Sequence, residues 1–148
     1  MPSRRLVLVL VVFCFMLGAY LRAGQAGQQT DDEAAIRKVL EDYIVGWREA
    51  DVPKLATVFD AEGRVMWLSG DPGSERLNTM TFAEILKRCR PSPDYGKEWR
   101  VESLDVLDGR LAVAKVQISR AGGHYVDYLA LHKLAGGWRI VNKTFVMR

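Results

Sequence analysis

From Trp99 to the C-terminus, β-branched and aromatic residues recur at strand length, and glycine-bearing turns cut the stretch into four segments. Asp108-Gly109, Ala121-Gly122-Gly123 and Ala135-Gly136-Gly137 are the turns, since glycine reaches positive φ without steric cost. This pattern predicts a continuous antiparallel meander with one face to bury, and only the helices before it can cover that face. Upstream the period changes. Ile36, Val39, Leu40, Tyr43 and Trp47 form one stripe of an amphipathic helix, with Arg37, Lys38, Glu41, Asp42, Arg48 and Glu49 on its wet side. Thr30 to Glu33 has the spacing of a capping box that would open this helix. Gly46 inside it costs about 1 kcal/mol relative to alanine unless close packing needs the space.

Asp51 caps a second helix, with Pro53 in its first turn and Leu55, Val58 and Phe59 on its buried face. Asp60 to Gly63 is expected to stop that helix, and Arg64 to Ser69 reads as a strand with Val65 and Trp67 on one side. Residues 70–78 read as a surface loop. Thr81 and Glu84 form a second capping box, opening a short helix in which Phe82, Ile85, Leu86 and Cys89 share a face. A loop through Pro91, Pro93, Tyr95 and Gly96 leads to the sheet. The predicted fold class is α+β: a cone-shaped, curved antiparallel sheet packed on N-terminal helices. Pockets tend to form at the open mouth of such a cone.

The N-terminus carries a different signal. Arg4 and Arg5 precede an apolar run from Leu6 to Leu21, followed by Gly24-Gln25-Ala26. At 16 residues the run is shorter than the roughly 20 that a spanning helix needs. Residues 1–26 are therefore expected to be a cleaved signal peptide, residues 27–33 a linker, and residues 34–148 the folded domain. The expected location is exported, periplasmic or secreted, with anchoring by an uncleaved N-terminal segment as the alternative. Cleavage removes Arg4, Arg5 and Arg22 and no acidic residue, so the 21 basic residues fall to 18 against 18 acidic ones. The net charge of +3 belongs to the leader, and no nucleic-acid partner follows from it. Cys14 leaves too, so Cys89 has no partner for an internal disulfide.

Little of the chain has the spacing of known chemistry. His124 and His132 share a strand face but lie roughly 26 Å apart in extended chain, too far to share a metal. No other cluster has metal-ligand spacing, no glycine-rich phosphate loop is present, and no cofactor is implied.

The segment YIVGWREADVPKLATVF, the strand RVMWL and the ending DYLALHKLAGGWRIVNKTF resemble the nuclear transport factor 2-like superfamily. Within it they look most like the group labelled putative lumazine-binding, neighbours of the SnoaL-like polyketide cyclases. The resemblance covers about residues 34–148 and implies a fold far more than a function, because enzymes and non-catalytic binders share that scaffold. Laid on ketosteroid isomerase without a gap, Tyr43 matches the tyrosine that donates to a developing enolate oxygen. Trp67 stands where that family keeps its proton-abstracting aspartate. Indole cannot take a proton from carbon at neutral pH, so ketosteroid isomerase-like activity is disfavoured.

Asp127 is the nearest candidate for a second polar group. Pairing through a three-residue Ala-Gly-Gly turn sets it beside Gln117 on the outside, whereas a bulge would turn it inward, and the sequence leaves both open. The resulting expectation is an exported module binding a small apolar or aromatic molecule, with Tyr43, Trp47, Phe59, Trp67, Phe82 and Asp127 as ligand contacts. One alternative is a SnoaL-like cyclase, dehydratase or isomerase with Asp127 as base and Tyr43 as oxyanion donor. The other is a non-catalytic interaction protein with a filled cone. A homodimer through the sheet is expected in all three.

Overall fold

The computed structural model describes residues 29–148, so the expected signal peptide lies outside the described residues. Helix α1 (residues 29–49) buries Ile36, Leu40, Tyr43 and Ile44 completely. Residues 29 and 30 are already helical, so Thr30 is not the cap the sequence suggests. Instead Asp32 is buried, accepting from Lys133 Nζ at 2.6 Å and from the Trp138 indole at 3.0 Å, which pins the start of α1 to the far hairpin. Helix α2 (Val52–Val58) begins at Asp51, whose carboxylate accepts from the Lys54 N–H at 2.9 Å. A Cβ at Gly46 would lie 2.8 Å from the Leu55 side chain, so glycine is required for α1 and α2 to pack.

Strand β1 (Phe59–Ser69) follows α2 directly; the expected stop at Asp60 to Gly63 is instead the opening of this strand. The expected loop of residues 70–78 is shorter than read, because β2 (Arg76–Thr81) pairs antiparallel with β1, with Asn78 opposite Trp67. Arg76, Leu77 and Thr79 are exposed, so this edge strand offers no clean hydrophobic alternation to detect. Helix α3 (Phe82–Leu86) has the full Thr81–Glu84 capping box. Strands β3 (Trp99–Leu107), β4 (Leu111–Arg120), β5 (Gly123–Leu134) and β6 (Gly137–Met147) form the predicted meander. The sheet order is β2-β1-β6-β5-β4-β3, and β1 joins β6 in parallel.

Two registers decide what faces the helices. The β4–β5 turn contains two residues rather than three, because Arg120 pairs with Gly123. Asp127 therefore stands opposite Val116 rather than Gln117, on the inner face with Tyr125, Leu129 and Leu131, and no bulge in this ladder is needed. In the β5–β6 ladder, Ala130 pairs with Asn142 but Leu131 pairs with Ile140, leaving Val141 as an extra residue. Trp138 and Ile140 face inward before the bulge, and Lys143 and Phe145 after it. Gly63 accommodates this bulge, since a Cβ there would meet the Val141 carbonyl at 2.6 Å.

Candidate functional site

Tyr43 of α1, Tyr95 of the loop after α3, Asp127 of β5 and Lys143 of β6 meet beneath the sheet. The Tyr43 hydroxyl donates to Asp127 Oδ2 at 2.6 Å. It accepts from the Tyr95 hydroxyl at 2.7 Å and from Lys143 Nζ at 2.5 Å. One proton given and two lone pairs filled exhaust a phenol's capacity. Lys143 also lies 2.9 Å from Asp127 Oδ2, forming an ion pair with side-chain exposures of 8% and 0%. Asp127 Oδ1 is buried without a hydrogen-bond partner among the described residues. Burial, reinforced by the Asp127 charge, pushes both tyrosine hydroxyls well above the ordinary phenol range, so both keep their protons.

Each member is held by its element. Tyr43 lies on the buried stripe of α1, and Asp127 follows the β4–β5 register. Lys143 faces inward because of the Val141 bulge. Tyr95 is fixed by a loop stitched to its neighbours: Ser92 N–H donates to the Arg48 carbonyl at 2.9 Å, and Gly96 N–H to the Ser119 carbonyl at 2.8 Å. Gly96 has φ of 65°, and any Cβ there would strike Ile44.

Above this group opens a cavity of about 240 Å³, lined by Trp47, Phe59, Val65, Phe82, Ile85, Arg90, Ser92, Tyr95, Tyr125, Lys143 and Phe145. Phe59 and Phe82 stack with centroids 4.0 Å apart, and Tyr125 meets Phe145 edge-on at 5.5 Å. The Lys143 ammonium sits 4.7 Å from the Phe145 ring centroid, a cation–π contact with the aromatic wall.

Of the residues singled out from sequence, Trp47, Phe59 and Phe82 line this cavity. Tyr43 and Asp127 do not line it; they lie fully buried and are linked to it through Tyr95 and Lys143. Trp67 is also outside the lining, stacked on Phe145 with centroids 6.4 Å apart. The Tyr43 proton is given to Asp127 Oδ2, and the Lys143 ammonium pairs with the same oxygen at 2.9 Å. Lys143, Tyr95, Tyr125 and Arg90 were not singled out as contacts. Two tyrosines and a lysine near a candidate carboxylate were visible in the chain, but only the bulge and the loop bring them together. Cys89 is buried at the back of α3, and desolvation raises its thiol above the usual range, as expected for an inert side chain. Among the described residues no group of three or more His, Cys, Asp or Glu side chains could hold a metal ion.

The family model described as putative lumazine-binding matches residues 31–146. Among solved structures, the chain is similar to an NTF-2 like protein of unknown function from Silicibacter pomeroyi, at 22% identity and a TM-score of 0.65, covering 81% of this chain and 98% of that one. It is also similar to an NTF2-like protein of unknown function from Shewanella baltica, at 21% identity and a TM-score of 0.68, covering 80% and 95%. A cystatin-like-fold domain of unknown function from Nostoc punctiforme matches at 18% identity and a TM-score of 0.62, covering 80% and 78%. At these identities the likeness speaks to fold alone. No curated protein matches the chain.

Proposed function

Because the chain belongs to the putative lumazine-binding family, on the nuclear transport factor 2-like fold, we propose that it is an exported, non-catalytic protein that holds one small, flat, largely apolar molecule in the cavity above Lys143. The observation that carries this reading is the combination of an open aromatic cavity with a sealed carboxylate. A general base must reach the proton it removes, directly or through one water. Asp127 is separated from the cavity by the tyrosine and the lysine it binds. A site with a base so enclosed is suited to holding a ligand rather than turning it over. The family's name points to a heteroaromatic ring as the ligand class. The volume of about 240 Å³ falls below the span of roughly 300 to 1,000 Å³ usual for small-molecule pockets, which restricts the ligand to a compact one.

Export is supported by the leader-like N-terminal sequence, and a homodimer through the sheet by its outer face. Val113, Tyr128 and Val146 lie there, 44%, 48% and 47% exposed on three adjacent strands. Native mass spectrometry of the mature protein purified from its own host tests the pocket reading. A retained small molecule is the expected result, with the Val65→Trp variant, whose indole would enter the cavity, purifying empty. Absence of any adduct from the unaltered protein, joined to failure of small aromatic probes to bind, would overturn it.

A further inference from the structure

Resting on that pocket reading, we propose that the ligand is an anion, an aromatic carboxylic acid of one or two rings whose carboxylate seats on Lys143. Lys143 has three N–H bonds. Its Nζ donates to the Tyr43 hydroxyl at 2.5 Å and pairs with the Asp127 carboxylate at 2.9 Å, and among the described residues it has no further hydrogen-bond acceptor, the side chain being 8% exposed. On its cavity side this ammonium meets aromatic faces, with the Phe145 centroid at 4.7 Å and the Tyr125 centroid at 5.8 Å, and a ligand oxygen there would add a charge-assisted hydrogen bond. Tyr43 offers no donor, since its proton goes to Asp127, and the Tyr95 proton goes to Tyr43. Lys143 is therefore the one member of the buried cluster able to donate into the cavity.

Charge then selects an anion over a neutral carbonyl. The lining includes two cations, Lys143 and Arg90, and no carboxylate. Asp127 balances Lys143 from behind. Arg90 is exposed at the cavity wall, where its guanidinium donates to the Cys89 carbonyl at 2.7 Å and, among the described residues, forms no salt bridge. The site thus carries one uncompensated positive charge at its rim, where solvent screens it in part but its sign still favours an anion. The rings of Phe59, Phe82, Tyr125 and Phe145 favour a flat body behind the carboxylate. A water molecule's share of liquid volume is about 30 Å³, so the cavity takes the bulk of roughly eight waters, which matches one or two fused rings.

Isothermal titration of the full chain at pH 7 with 2-naphthoate and with 2-naphthamide, its neutral counterpart of the same shape, tests this. The acid is expected to bind at least tenfold more tightly than the amide. Arg90→Gln should narrow that ratio several-fold, and the double variant Lys143→Met/Asp127→Asn, which removes both charges of the pair together, should abolish it. Circular dichroism establishes whether the double variant folds. If it does not, Arg90→Gln carries the test alone, because that side chain is exposed. Equal affinities, or a preference for the amide, would overturn the anion while leaving the pocket standing. A ratio unmoved by Arg90→Gln and, where it folds, by the double variant would place the carboxylate elsewhere and also overturn it. Binding of neither probe to a protein that also purifies empty would remove the pocket reading itself.

Discussion

Lys143 and Asp127 are each buried at a cost that only the other offsets, and Tyr43 joins them by donating to the carboxylate and accepting from the ammonium. Breaking such a pair by removing one partner typically costs about 3–5 kcal/mol, whereas replacing both charges is often close to neutral. Lys143→Met is accordingly expected to lose stability in that range by urea unfolding, and Lys143→Met/Asp127→Asn to recover most of it. A double variant no more stable than the single one would mean that the pair is not coupled as the geometry implies. The tyrosines give a second, optical prediction. Both have pKa values raised well above the ordinary phenol value of 10.0, chiefly by desolvation. Their contribution to stability is fully present below the unfolded phenol's pKa and is lost as pH rises above it towards the folded values. Absorbance near 295 nm during alkaline titration should therefore show Tyr43 and Tyr95 ionising only as the fold is lost. Tyr43→Phe and Tyr95→Phe should each remove one late-titrating phenol.

Among the elements, β6 does most to determine the site, through a single extra residue. Strict alternation from Trp138 and Ile140 would turn Asn142, Thr144 and Val146 inward; the Val141 bulge substitutes Lys143 and Phe145. Gly63→Ala is expected to destabilise the protein by more than the roughly 0.5 kcal/mol of an ordinary surface change, because its Cβ would press the Val141 carbonyl and the Phe82 ring. If the bulge shifts in response, binding of aromatic probes should weaken along with the melting temperature. The same features mark the boundary of what the sequence made legible. The helical stripe of α1, the Asp51 cap, the Thr81–Glu84 box and the four-strand meander rest on local periodicity and turn chemistry, which a single chain displays openly. A bulge is set by what packs on both sides of a strand, and the turn that fixes Asp127 differs from the expected one by a single residue, enough to exchange the faces. Asp32 was likewise read only as part of a cap, since its partners Lys133 and Trp138 come from the opposite end of the chain. Those partners, the Lys133 hydrogen bond first, hold the Asp32 carboxyl below its ordinary value of 3.8. The stability they confer is present above that value and is lost as pH falls through the folded one. Asp32→Asn should therefore be less stable than the unaltered protein at pH 7, with the difference shrinking in acid; a constant difference down to pH 2 would contradict this assignment.

At the scale of the molecule, one sheet has two faces with separate chemistry. Its inner face, closed by α1, α2 and α3, holds the cavity and the buried pair, while Val113, Tyr128 and Val146 crowd the outer face. Side chains on opposite faces share no contacts, and distant substitutions usually add independently. A ligand that binds only the folded state stabilises it by about 2.7 kcal/mol at a concentration of one hundred times Kd. For a domain of this size that corresponds to a rise of roughly 10 °C in melting temperature. Saturating 2-naphthoate should produce such a rise in the unaltered protein and little or none in Val65→Trp, where the cavity is filled. Tyr128→Glu should do the reverse, lowering the mass seen by light scattering from that of the proposed dimer to that of a monomer while leaving the ligand-induced rise intact. If Tyr128→Glu also abolished the rise, the two faces would be coupled through the sheet, and the cavity would have to be treated as complete only in the assembled protein.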